Sequence, residues 1–159
     1  MSTATLSSPR TTTEQQPEEH PAQTYRITAP AVPTTVRVVR DAVAAALIAN
    51  GAGSLAEDAR LCVSETVTNV VSHARVPHLD VEVTVHTDRA VIAVRDSSTS
   101  GRLPLARAVS TDDESGRGLL LVSRIAAHWG AQWAWDQDGI RLIGKRVWFE
   151  LRTDRAVSA

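Results

Sequence analysis

A chain of 159 residues with 43% hydrophobic and 22% charged side chains has the balance of one globular domain, which excludes wholesale disorder and fibrous repeats. Lys plus Arg number 17 against 18 for Asp plus Glu, a formal charge of −1, so nothing drives the chain onto nucleic acid or an anionic membrane. A single cysteine excludes an internal disulfide and multi-cysteine zinc sites, no apolar run nears the roughly 20 residues of a membrane span, and no signal segment is visible, which predicts a cytoplasmic protein.

Residues 1–24 are rich in Thr, Ser, Pro, Gln and Glu and read as a flexible tail, because ordering them would bury almost nothing. Residues 25–28 form a short strand candidate. A first helix begins near Pro33, with Val36, Val39, Val43, Ala46 and Leu47 at helical spacing and Gly51 just past its end. Ser54 followed by Glu57 has the form of a capping box, so a second helix is expected to start there and run through Cys62, Val63, Val67 and Val70 to about Ala74, before Pro77. Leu79, Val81, Val83 and Val85 alternate with Asp80, Glu82, Thr84 and His86, the pattern of a strand with one buried face, and residues 90–94 pair with it through a turn at 87–89.

Residues 97–115 are polar and punctuated by Gly101 and Pro104, a long loop of the kind that serves as a lid or binding loop. A third helix is expected from Gly116 to Ala127, through Leu119, Leu120, Val122 and Ile125. Residues 131–135 and 147–151 close the chain as an antiparallel pair joined through 136–145. The order strand, two helices, two strands, loop, helix, two strands predicts an α+β fold, a two-layer sandwich of a mostly antiparallel sheet with three helices on one face. The domain spans residues 25–152, with a short C-terminal tail at 153–159.

Glu65 and Asn69, four residues apart, project from one side of the second helix, nearly opposite the apolar set Ala59, Val63, Val67 and Val70. An ionised Glu can take a proton from a hydroxyl, and an Asn oxygen is a hard ligand suited to Mg²⁺. By itself such a pair is an ordinary solvated helix face. Gly116, Arg117 and Gly118 open the third helix, where glycines admit a close ligand and backbone N–H groups attract phosphate. The third glycine of a dinucleotide fingerprint is missing, and Gly144-Lys145-Arg146 lacks the spacing of a phosphate-binding loop. Asp96, at a strand end, is placed to accept a hydrogen bond from an exocyclic amine such as that of adenine.

In combination and in order these elements become specific. Ser64-Glu65-Thr66-Val67-Thr68-Asn69 through His73-Ala74 resembles the N box of the histidine-kinase-like (Bergerat) ATPase superfamily, with Asp96 at its adenine-reading position and Glu114-Ser115-Gly116-Arg117-Gly118-Leu119 at its later glycine box. The short chain and its ending, Gly144 to Leu151, resemble the stand-alone anti-sigma-factor serine/threonine kinases of actinobacteria. The resemblance implies ATP and Mg²⁺ as cofactors, Glu65 as catalytic base, Asn69 as Mg²⁺ ligand, Asp96 on adenine, and Gly116, Arg117, Gly118 and Leu119 around the phosphates. It implies as partners a sigma factor and an anti-sigma-factor antagonist, phosphorylated on Ser or Thr in a partner switch, with no direct nucleic acid or membrane contact, and it allows a homodimer. Three positions depart from the family: Ser98 and Ser100 replace glycines, and Arg146 stands where many relatives place a Thr that supports the adenine Asp.

A non-catalytic, nucleotide-dependent protein-binding regulator is the alternative reading, and an ATP-independent scaffold is a third. His73 and His78 lack a third ligand at sensible spacing, so no transition metal is expected. Trp129, Trp133, Trp135 and Trp148 read as core and sheet-face packing, and Cys62 as a small buried side chain.

Overall fold

Residues 21–103 and 114–153 are described by the computed structural model, in which the alternating segments pair into one sheet. Its strands are β1 (Gln23–Pro30), β2 (His78–Val85), β3 (Arg89–Asp96), β4 (His128–Trp135) and β5 (Leu142–Arg152). They lie in the order β1-β2-β3-β5-β4, every neighbouring pair antiparallel. The helices are α1 (Thr35–Ala49), α2 (Ala56–Asn69) and α3 (Glu114–Ile125). The architecture is the expected α+β sandwich.

Register fixes which side chains meet the helices, because residues directly opposite in antiparallel strands share a face. Leu79, Val81, Val83 and Val85 of β2 stand opposite Asp96, Val94, Ile92 and Ala90 of β3. Those β3 residues face Lys145, Val147, Phe149 and Leu151 of β5. Phe149, Ile92, Val81 and Val83 are fully buried, and Val39, Val43 and Leu47 of α1, Val63 and Val67 of α2 and Val122 of α3 complete the core they form. Removing such side chains from water supplies the main drive, about 1.5–3 kcal/mol for each large one. The other face of the sheet carries charge. Arg26 donates to Glu82 at 2.9 Å, Thr28 to Asp80 at 2.5 Å and Arg152 to Glu150 at 2.5 Å.

Several boundaries differ from the sequence reading for identifiable reasons. β1 begins at Gln23, two residues into the expected tail, because its backbone continues to pair with β2 as far as Val85; the tail before residue 21 and the C-terminal residues after 153 lie outside the described residues. The capping box does not form. Ser54 sits in a 3-10 turn, Gly53–Leu55, and α2 starts at Ala56 behind Leu55 with no side-chain cap. α2 ends at Asn69, and the chain continues to Ala74 as one π turn, Val70–Ala74, closed by Arg75 in the left-handed region at φ 50°. α1 does stop where glycine predicts, with Gly51 at φ 75°. The last hairpin is longer than its alternating cores suggest, since β4 takes in His128 and β5 reaches back to Leu142, with an irregularity at Ala134/Trp135. The long loop is described only over 97–103; its remainder to 113 lies outside the described residues, and the chain is already helical at Glu114.

Candidate functional site

α2 packs between α1 and α3, and the α2–α3 contact brings two of the sequence signals together. Gly118 is buried directly against Glu65. A Cβ at position 118 would press into the Glu65 carboxylate, 3.2 Å from its Cβ and 3.3 Å from its Cδ. The glycine is there because Glu65, half-buried, occupies the space a side chain would need. Asn69 follows one turn later on the same side of α2, also half-buried. The π turn after it is closed by Arg75, and the chain passes through Val76 and Pro77 into β2, where Leu79 stands opposite Asp96.

Asp96 ends β3 on the helix-facing side of the sheet. Its Oδ1 accepts the Ser98 N–H at 2.7 Å, which makes Ser98, itself buried, a backbone donor for this carboxylate. The Ser98 hydroxyl turns away and donates to the Ser100 carbonyl at 3.4 Å. Partial burial raises the Asp96 pKa above the ordinary carboxylate value, while the Ser98 N–H and the Lys145 charge pull it back down. Gly144 closes the site from β5. A Cβ there would collide with the Asp96 carbonyl and lie 3.0 Å from its carbonyl carbon and 3.1 Å from Ser97 Cα, so only glycine lets β5 approach.

The glycine box divides between two roles. Because α3 is already helical at Glu114, the N–H groups of Gly118 and Leu119 fall at positions that bond within the helix. This corrects the expectation that the helix begins at Gly116. Gly116 and Arg117 precede these two positions in α3, with Arg117 exposed; Gly118 serves the packing on Glu65, and the Leu119 side chain is 5% exposed, in the interior.

A second correction concerns Arg146. It pairs with Arg95 and Gln132, so it projects from the charged outer face of the sheet, away from Asp96. The residue opposite Asp96 is Lys145. Sequence inspection missed both Lys145 and Gly144, whose role appears only once the register of β3 and β5 is known.

The donors present suit a magnesium nucleotide. Asn69 offers one neutral oxygen, as expected for an ion that takes most ligands from phosphate and water, and among the described residues no cluster of three His, Cys, Asp or Glu could hold a metal by itself. A cleft lined by Gln23, Asn50, Val85 and His86 lies at the opposite end of the sheet and contains no predicted site residue. Among the described residues no helix is long and apolar enough to cross a membrane. Residues 29–142 match the family model described as histidine kinase-like ATPase domain. No curated protein matches the chain.

Proposed function

The chain belongs to the histidine kinase-like ATPase domain family, and from that premise we propose that it is an ATP-dependent serine/threonine protein kinase of the anti-sigma type. The observation that carries this reading is Glu65, a carboxylate kept clear of the core and flanked by Gly118 of α3, one helical turn from Asn69. In this reading the Glu65 carboxylate takes the proton of a Ser or Thr hydroxyl on an antagonist protein. The freed oxygen attacks the γ-phosphorus of ATP, the bond to the β,γ-bridging oxygen breaks, and ADP leaves. Asp96 would accept a hydrogen bond from the adenine amine, and Gly116, Arg117, Gly118 and Leu119 would lie around the phosphates. Asn69 holds Mg²⁺, which neutralises phosphate charge when bound.

The switching role follows the same logic. A phosphate placed on the antagonist adds close to two negative charges, enough to exclude it from a surface it otherwise occupies and free this protein to hold a sigma factor. The setting is cytoplasmic, where ATP and both partners reside.

The test is incubation of the protein with Mg-ATP and a candidate antagonist protein, read by phosphopeptide mass spectrometry. Phosphoserine or phosphothreonine is expected, with Glu65→Ala slower by roughly 10²–10⁴ while ATP binding by calorimetry persists. A complex that responds to ATP but forms equally well in Glu65→Ala, with no phosphorylated product, supports the non-catalytic nucleotide-dependent regulator instead.

A further inference from the structure

Lys145 belongs to a run that fits no phosphate-loop spacing, yet the fold carries it to the Asp96 end of the sheet. It stands directly opposite Asp96 in the β3–β5 register, so the two side chains leave the sheet on one face. Its ammonium is flanked on two sides. Nζ lies over the Trp133 ring, 5.3 Å from the centroid, and Gly101, at φ 82°, comes so close that a Cβ there would sit 3.3 Å from Nζ. This is a cation with a fixed address beside a half-buried carboxyl group.

We propose that Lys145 determines base specificity, holding Asp96 ionised so that the pocket accepts an amino-substituted purine and rejects an oxo-substituted one. The inference rests on Asp96 as the base-reading residue. A carboxylate only accepts hydrogen bonds, whereas a protonated carboxyl group also donates. A 6-aminopurine presents a donor at the exocyclic position, and a 6-oxopurine presents an acceptor there. The protonation state of Asp96 therefore chooses between them.

Among the described residues, the groups around Asp96 leave this choice to few hands. β2 brings the apolar Leu79, and the loop after β3 brings the Ser98 N–H. Glu65, the one charged residue among 63–69 of α2, faces Gly118 of α3. β5 brings Lys145. Burial opposes the charged form, and Ser98 and Lys145 favour it. The Ser98 contribution is backbone and survives substitution, so Lys145 is the part that a variant can remove.

The experiment compares ATP and ITP affinities by calorimetry between about pH 5 and 8 for the wild type, Lys145→Met, Lys145→Arg and Asp96→Asn. Wild type prefers ATP. In Lys145→Met the preference fades on acidification at a higher pH than in wild type, and Lys145→Arg restores the original profile. A ratio of two affinities is insensitive to a general loss of folded protein, and a lysine that merely packs would leave its pH dependence unmoved. A Lys145→Met profile that superimposes on wild type, or a shift that arginine does not reverse, overturns the proposal. Asp96→Asn separates the two levels of inference. If it keeps the full ATP preference, Asp96 does not read the base and the underlying reading fails; if it loses the preference while Lys145→Met behaves as wild type, only the role of Lys145 is lost.

Discussion

Gly118→Ala asks whether the close contact between α3 and Glu65 is structural or functional, and the two answers differ in size. Two terms oppose each other in stability. Alanine in a helix interior is favoured over glycine by roughly 0.5–1 kcal/mol. Against this, the new Cβ meets the end of the Glu65 side chain and lies 3.2 Å from its Cβ and 3.3 Å from its Cδ, a crowding that overpacked sites resolve at a cost of about 1–3 kcal/mol. Most of the conflict is with a flexible carboxylate that can rotate aside, which places the cost at the low end. The net change is then within about 1–2 kcal/mol, a few degrees in Tm. Glu65 is nevertheless pushed off its position, and a displacement near 1 Å typically lowers a rate on the order of 10²-fold. Gly118→Ala should thus melt close to wild type, bind ATP, and phosphorylate its protein substrate on the order of 10²-fold more slowly. Thermal denaturation, calorimetry and a quantitative phosphorylation assay measure the three separately. A folded Gly118→Ala protein that transfers phosphate at the wild-type rate would falsify the assignment of Glu65 as base.

Gly144→Ala should behave oppositely, since its Cβ meets the backbone of Asp96 and Ser97, which cannot rotate away; a loss of about 1–3 kcal/mol is expected in denaturant titration, and an unchanged midpoint would refute the close approach of β5. Asp96→Asn should lower nucleotide affinity without lowering Tm at neutral pH. The sign follows from the raised carboxyl pKa, which means that ionising Asp96 favours the unfolded chain as pH rises from its ordinary value through its folded one, a penalty the neutral amide avoids; a markedly less stable variant would contradict this. Burial, with Asp58 and Glu65 adding to it, pushes the Cys62 thiol up to about 12. It should be inert to a thiol reagent near pH 8 until the protein unfolds, and because unfolded cysteine ionises near 9, stability should fall as pH rises from there toward 12. Prompt labelling of the native protein would place Cys62 outside the interior.

What the sequence made legible was whatever repeats with a period or works through side-chain type. The alternation from Leu79 to Val85 announces both a strand and its buried face, because the side-chain period and the pleat are the same quantity. Glu65 and Asn69 are legible as a pair for the same reason, one helical turn separating them. Ser54 and Glu57 show the limit of local rules: the pattern is present, but Leu55 is buried and the turn around it tightens to a 3-10 geometry, so packing outweighs a cap worth about 1 kcal/mol. Lys145 and Arg146 show a different limit. Nothing in their neighbourhood in the chain says which one faces Asp96, since a shift of one residue in the β3–β5 pairing would exchange them. Gly144 and Gly118 look like loop punctuation in the sequence and prove to be points where two distant segments touch.

Among the described residues helices cover one side of the sheet, and on its other surface the ion pairs Arg26–Glu82 and Glu150–Arg152 flank a strip of Val91, Ala93 and Trp148. Whatever settles there must first strip water from those charged pairs, which disfavours nonspecific apolar contact at their positions. Substitutions there leave the fold standing and instead set how crowded a solution the molecule tolerates. Turning several of those exposed charged positions to leucine should leave the helix-facing core intact and increase self-association, measured by light scattering.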